Sequence, residues 1–155
     1  MRALFSIVGL YQADETLFDD MQLPSAIDRN TLIQKILFNL AELNVIYTDP
    51  EVASVGHSKE GAEKLGMTVK EVKLPMSYAG RYLAETEGGK GFIKLVVDTD
   101  RNRLVGCHMV GSYASEIIMT ATMMVDTELN PERLKKFVFP HPTVCEVIRE
   151  GFFMI

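Results

Sequence analysis

The stretch that decides the fold is residues 91–110, which read GFIKLVVDTDRNRLVGCHMV. It opens with a run of apolar and β-branched residues from Phe92 to Val97. A turn cluster follows at residues 98–102, where Asp, Thr and Asn side chains can hydrogen-bond to nearby backbone. A second strand-like run then extends from Arg103 to Val110. The stretch therefore predicts a β-hairpin, in which Gly106 lowers the propensity of the second strand.

Further strand and helix signals lie on both sides of this hairpin. Strand character is found at residues 45–47, from Val52 to Gly56, and in the alternating run 68–74. The helices predicted are 59–65 with Ser58 as N-cap, one opening at Ser112, one from Asn130 and Pro131 to near Val138, and one from Thr143 through Glu150. This pattern predicts an α+β fold, with an antiparallel sheet of three to four strands and helices packed on one side.

Residues 1–44 have a different texture and contain one clear helix signal. Asp28 is a candidate N-cap, and apolar residues then recur at helical spacing, at Leu32, Ile33, Ile36, Leu37, Leu40 and Leu43. An isolated helix this short is marginal in water, so we expect its leucine face to pack on the rest of the chain. The sequence therefore predicts an N-terminal helical appendage at residues 1–44, of uncertain origin, and a domain at residues 45–155.

Composition argues against several classes of function. The 155 residues carry 16 basic and 21 acidic side chains, a net charge of −5, so no basic excess favours nucleic acid. The two cysteines, Cys107 and Cys145, are too far apart for a C-x-x-C pair and favour a reducing compartment. No apolar run approaches the roughly 20 residues that span a bilayer, and the start lacks a signal-peptide cleavage site. We expect a cytoplasmic protein that binds neither nucleic acid nor membrane.

Most sequence motifs that carry cofactor or metal chemistry are absent. The glycines at residues 88–91 precede a strand rather than joining a strand to a helix, so they indicate a turn and not a dinucleotide cradle. Of the three histidines, His57 is expected at the surface and His108 as a packed or half-exposed strand residue. No metal site is predicted.

His141 differs because it lies between Pro140 and Pro142, where the backbone has little freedom. Glu146 follows five residues later, in the first turn of the helix predicted to begin at Thr143. A carboxylate there can reach back to the imidazole and hold one tautomer, which suits a general acid/base. Spacing alone leaves a second interpretation open, in which the carboxylate only complements the helix dipole.

A family resemblance then enters through motifs that occur in order along the chain. Residues 141–146, His-Pro-Thr-Val-Cys-Glu, resemble the H-P-T-x-S-E motif of the pyridine nucleotide–disulfide oxidoreductases, in particular the dihydrolipoamide dehydrogenases. Four further stretches resemble motifs of the same C-terminal interface domain: 47–56, 91–95, 104–111 and 114–118. The resemblance covers about residues 45–155.

The resemblance implies a homodimerisation domain of an FAD-dependent, NAD-linked enzyme. In that family the histidine crosses to the partner subunit's active site, so His141 would be the acid/base for thiol–disulfide exchange and Glu146 its orienter. Pro142 and Thr143 would lie near the partner's flavin. A cis His141–Pro142 bond and an exposed His141 are implied as well. Cys145 stands where the family usually has serine, and we do not interpret it as redox-active.

The FAD-binding, NAD-binding and redox-cysteine regions of the family find no counterpart in this sequence, so the chain alone is not expected to catalyse the reaction. A separate FAD/NAD-binding portion is therefore a second candidate partner. Residues 1–44 do not match the family and weakly resemble bacteriophage structural proteins at 17–20, 23–24 and 41–43. Two alternatives stay open: a non-catalytic homodimerisation module and a chimeric phage-type structural protein.

Overall fold

The computed structural model describes residues 43–155, and these residues belong to one compact unit. The predicted helix from Asp28 to Leu43, the appendage at residues 1–44 and the phage resemblance lie outside the described residues except at Leu43 and Asn44, and Asn44 is the first residue of a strand. None of the described helices is long and apolar enough to cross a bilayer.

One antiparallel sheet organises the described part of the chain. Its strands are β1 (Asn44–Ile46), β2 (Val52–Gly56), β3 (Val69–Pro75), β4 (Phe92–Asp98) and β5 (Arg103–Val110). They lie in the order β1-β2-β5-β4-β3, and every neighbouring pair is antiparallel. The predicted α+β class and the 91–110 hairpin are confirmed. The sheet has five strands rather than three to four, because the short β1 pairs with β2 along the edge.

The helices are α1 (Lys59–Lys64), α2 (Gly80–Glu85), α3 (Ala114–Asp126), α4 (Pro131–Leu134) and α5 (Glu146–Phe153). Short 3₁₀ turns occur at Met76–Tyr78 and Glu87–Gly89. Two of the predicted caps are confirmed, since Ser58 accepts the backbone N–H of Gly61 and Asn130 that of Glu132. The prediction that the fourth helix reaches Val138 is wrong: α4 ends at Leu134, and Val138 is 94% exposed.

The main core lies between one face of the sheet and the helices α3 and α5. Helix α3 packs on β2 and β5, whereas α5 packs on β4 and β3. The strands contribute every second residue, such as Ile93, Leu95 and Val97 of β4. Helix α5 approaches β4 closely at Gly151, where an added methyl group would lie 2.5 Å from Cδ1 of Leu95. Glycine at position 151 therefore allows α5 to lie this close to the sheet.

The opposite face of the sheet is covered around Gly106. A β-bulge in β5 makes Val97 pair with Leu104 and Val96 with Gly106. The segment after β2 runs across this point, and the His57 N–H donates to the Val105 carbonyl at 2.8 Å. A methyl group added at Gly106 would lie 2.0 Å from the His57 carbonyl oxygen. Glycine at position 106 therefore lowers the strand propensity of β5 but leaves the space that the crossing segment occupies.

We expect Gly106→Ala to destabilise the fold by about 1–3 kcal/mol, because the new methyl group overlaps backbone that cannot move away cheaply. Chemical denaturation measures the change. Gly80→Ala is the matched control, since nothing lies within 4 Å of an added methyl group there. Equal stability of the two variants would contradict this explanation of Gly106.

Candidate functional site

The candidate site is the segment between α4 and α5, residues 139–145. Its two ends are anchored, because Phe139 and Val144 are buried in the core. Between them His141 and Pro142 are exposed, and the His141 side chain is 78% exposed. The His141–Pro142 peptide bond is cis, as the resemblance implied. The predicted exposure of His141 is confirmed.

Glu146 is the buried partner of this exposed histidine. It is the first residue of α5, and its side chain is only 6% exposed. Its Oε2 accepts the backbone N–H of Thr143 at 2.9 Å. The Nδ1 of His141 lies 3.0 Å from Oε1 and 3.2 Å from Oε2. The structure therefore brings His141 and Glu146 within hydrogen-bond distance.

The helix start differs from the prediction that Thr143 caps α5. The N-cap residue is Cys145, which makes no side-chain capping bond, and the helix continues past Glu150 to Phe153. The Thr143 hydroxyl instead donates to the Pro140 carbonyl at 2.8 Å. Thr143 thus uses both its N–H and its hydroxyl to close the segment onto itself.

Electrostatics favour an ionised Glu146. The hydrogen bond from the Thr143 backbone N–H lowers the pKa of Glu146, and its interactions with His141 and Arg149 lower it further, against the opposing effect of burial. An ionised carboxylate can only accept hydrogen bonds, so the proton between the two side chains resides on Nδ1 of His141. In the neutral imidazole this leaves Nε2 with a free lone pair.

The arrangement can therefore transfer a proton at Nε2. Within residues 43–155 that nitrogen makes no hydrogen bond, and the ring is open to solvent. When Nε2 takes up a proton, the resulting imidazolium lies against the buried carboxylate, which stabilises the charge. Such a pair is chemically suited to general acid/base catalysis for a group that approaches from outside this domain.

The cysteines are poor candidates for redox chemistry. Burial raises the pKa of the Cys107 thiol far above its ordinary range. Burial also raises the pKa of Cys145, although a hydrogen bond with the Thr120 hydroxyl opposes that shift. Both thiols are free, and a protonated thiol is a weak nucleophile.

The other histidines have structural surroundings. His108 is half-buried, and its Nε2 lies 3.1 Å from the His57 carbonyl oxygen. His57 is half-buried rather than fully at the surface, because its backbone packs over β5. Among the described residues, no group of His, Cys, Asp and Glu side chains could hold a metal ion.

Sequence reasoning missed Arg149, whose Nη2 lies 3.8 Å from Oε1 of Glu146 and 2.7 Å from Oε1 of Glu150. The spacing of three residues between Glu146 and Arg149 places both on one side of α5, and this was the available signal. The role of the Thr143 N–H carried no such signal, because it depends on the path of the loop.

We expect Glu146→Gln to lower the free energy of unfolding at neutral pH by about 1–2 kcal/mol, through loss of charge-assisted hydrogen bonds. The pKa of Glu146 is lowered on folding, so its ionised form contributes stability above the ordinary value of 4.5. That contribution is lost as the pH falls through the lower folded value. The difference between wild type and variant should therefore shrink in acid, which urea denaturation at a series of pH values measures.

Glu150→Gln is the control for this experiment, since it removes a carboxylate that pairs with Arg149 on the same helix. Its effect on stability should be the smaller of the two. A pH-independent difference for Glu146→Gln would argue that the carboxylate is not ionised in the folded chain.

Comparison with known proteins places this site in a family. Residues 43–151 match the family described as pyridine nucleotide-disulphide oxidoreductase, dimerisation domain. The dihydrolipoyl dehydrogenase of Thermus scotoductus is 37% identical over 122 residues, covering 79% of this chain and 26% of that relative. The mitochondrial dihydrolipoyl dehydrogenase of Caenorhabditis elegans is 35% identical over 109 residues, covering 70% of this chain and 22% of that relative. The chain thus spans about a quarter of the length of the curated relatives it matches.

Solved structures agree on the fold. The HOCl-induced flavoprotein disulfide reductase RclA from Escherichia coli has a TM-score of 0.73 at 22% identity, covering 90% of this chain and 30% of that chain. The family is FAD- and NAD-dependent. The match over residues 43–151 shows that this chain belongs to the pyridine nucleotide-disulphide oxidoreductase family, with dihydrolipoyl dehydrogenases among its relatives, and contains the dimerisation domain.

Proposed function

We propose that this dimerisation domain supplies His141 and Glu146 as an acid/base pair to the dithiol/disulfide site of a partner subunit, in an oxidoreductase similar to dihydrolipoyl dehydrogenases. The observation that carries the proposal is the bond from His141 Nδ1 to the buried Glu146 carboxylate, which leaves Nε2 exposed. An acid/base group that serves its own subunit would line a pocket of that subunit. An exposed one suits a site completed by another copy.

The proposed proton transfer takes place at Nε2. This nitrogen removes the proton of a substrate thiol, and the thiolate attacks one sulfur of a disulfide in the partner subunit. A sulfur–sulfur bond forms to the substrate as the original disulfide bond breaks, and the second sulfur leaves as a thiolate. Glu146 stabilises the imidazolium until Nε2 gives this proton to the sulfur that left as a thiolate.

FAD and NAD would have to be bound outside the described residues. Folds that bind these dinucleotides use parallel strands with a glycine-rich turn into a helix. Every strand pairing described here is antiparallel, so residues 43–155 do not fit a dinucleotide, and no step of the proposal uses one bound to them. Pro142 and Thr143 remain proposed neighbours of a partner's flavin, with Pro142 exposed beside His141. The unpaired cysteines favour the cytoplasm as the proposed compartment.

The proposal is tested by replacing the dimerisation domain of the Thermus scotoductus dihydrolipoyl dehydrogenase with residues 43–155 of this chain, which include the buried Phe152 at the end of α5. The exchanged enzyme should keep dehydrogenase activity. His141→Gln in that background should lower kcat by about 10²–10⁴-fold, the usual contribution of a general acid/base. His57→Gln is the matched control and should retain the activity.

Full activity with His141→Gln would remove the acid/base assignment and favour the alternative, a non-catalytic dimerisation module. Flavin absorbance and mass in solution show whether each variant is loaded and assembled. A variant that loses its flavin is judged on the rate per bound flavin.

We also expect the chain to form a twofold homodimer, the commonest closed assembly. Exposed apolar side chains on α3, Met119 and Met123, and Val138 after α4 offer an adaptable surface. Sedimentation at tens of micromolar should give the mass of two chains. Met123→Glu should shift this equilibrium towards monomer, whereas Leu65→Glu, an equally exposed position beside α1, should not. A wild-type chain that sediments as a monomer would contradict the expectation.

A further inference from the structure

The His141 ring has little packing to hold it, because most of its side chain is exposed. Its orientation depends on the bond from Nδ1 to Glu146. That bond in turn requires the backbone at residue 141 to stay at a fixed place relative to the start of α5. The contacts that fix residues 140–143 against Glu146 therefore determine the orientation of the ring.

The loop has few groups that could do so. Pro140 and Pro142 have no backbone N–H, so neither can donate a hydrogen bond from the main chain. Thr143 supplies the first backbone donor after His141, and that donor is bound to Oε2 of Glu146 at 2.9 Å. The hydroxyl of the same residue donates to the Pro140 carbonyl at 2.8 Å.

Thr143 therefore connects both sides of the histidine. Its hydroxyl holds the residue before His141, and its N–H holds the carboxylate that receives Nδ1. One residue thus links Pro140 to Glu146, through its hydroxyl and its backbone N–H, and His141 lies in sequence between the two contacts. Loss of the hydroxyl leaves the N–H bond intact but frees the Pro140 carbonyl and the peptide that carries His141.

We propose that Thr143 is a positioning residue for His141, whose hydroxyl bond to the Pro140 carbonyl keeps Nδ1 directed at Glu146 and Nε2 directed outward. The inference rests on the proposed function, since orientation matters because Nε2 is the proton-transfer atom. It assigns Thr143 a task within its own chain, distinct from any contact with a partner's flavin.

The test compares Thr143→Val with wild type by ¹⁵N spectroscopy of the histidine rings, in the intact 155-residue chain at a pH where the His141 ring is neutral. Valine keeps the branched shape and removes only the hydroxyl. In wild type, Nδ1 of His141 should show the shift of a protonated ring nitrogen and Nε2 that of an unprotonated one. In Thr143→Val the two shifts should move towards each other, because the ring then exchanges between tautomers.

Thr143→Ser restores the hydroxyl and should restore the wild-type separation of the two shifts. Thr122→Val is the matched control, since it removes a hydroxyl that donates to the Ile118 carbonyl at 2.9 Å in α3. It should leave the His141 ring unchanged. If Thr143→Val does not fold, Thr143→Ala serves as the second variant, with unfolding curves to confirm that it is native.

Unchanged ring shifts in a folded Thr143→Val or Thr143→Ala chain would overturn the proposal. In the domain-exchanged enzyme the expected loss is about tenfold in kcat with KM unchanged, the size of one hydrogen bond, and Thr143→Ser should recover it. The spectroscopic result is obtained without flavin or partner enzyme. It therefore stands or fails independently of whether His141 proves to be the acid/base.

Discussion

The charge of Glu146 inside the domain is the constraint on which the rest of the site depends. A buried carboxylate is costly unless several donors surround it, and here the donors come from the loop immediately before the helix. The Thr143 N–H and His141 Nδ1 both converge on it, and Arg149 lies further along the same helix. Satisfying this charge folds the loop back on the start of α5. The exposed imidazole is a product of that closure.

The sheet and core supply the rigid support that such a closure needs. Phe139 and Val144 anchor the loop from either end, and α5 itself packs on β4 and β3. A loop held only by its own hydrogen bonds would sample many arrangements, because each bond is worth little net in water. The two buried apolar anchors confine the ends, so the few polar contacts have only the four residues 140–143 left to order.

Local signals were predicted well from the sequence. The 91–110 hairpin could be predicted because two runs of strand-forming residues flank a turn that contains Asp98 and Asp100. In the structure Asp98 accepts the backbone N–H groups of Asp100 and Arg101. The pairing of His141 with Glu146 could also be predicted, because five residues of constrained chain leave the imidazole few places to go. Both depend on neighbours along the sequence.

What could not be predicted depends on contacts distant in sequence or on competition between partners. The strand order β1-β2-β5-β4-β3 follows from how several runs pair, which no single run records. Threonine is a residue type that often caps helices, but the Thr143 hydroxyl donates to the Pro140 carbonyl instead. The helix predicted to reach Val138 ends at Leu134, and the chain returns to the core at the buried Phe139, a contact distant from the local helix signal.

Helix α5 carries Glu146 at its first turn and rests on Leu95 through Gly151, five residues and about 7.5 Å further along. The helix is short and moves as one unit, so a displacement at its buried contact with the sheet also displaces its first turn. A bulkier residue at position 95 or 151 would push α5 away from the sheet and move the Glu146 carboxylate away from the His141 imidazole. The packing beneath α5 and the contact between Glu146 and His141 are therefore coupled. A change of side-chain size at position 95 has to be compensated at position 151, or it alters the position of Glu146 relative to His141.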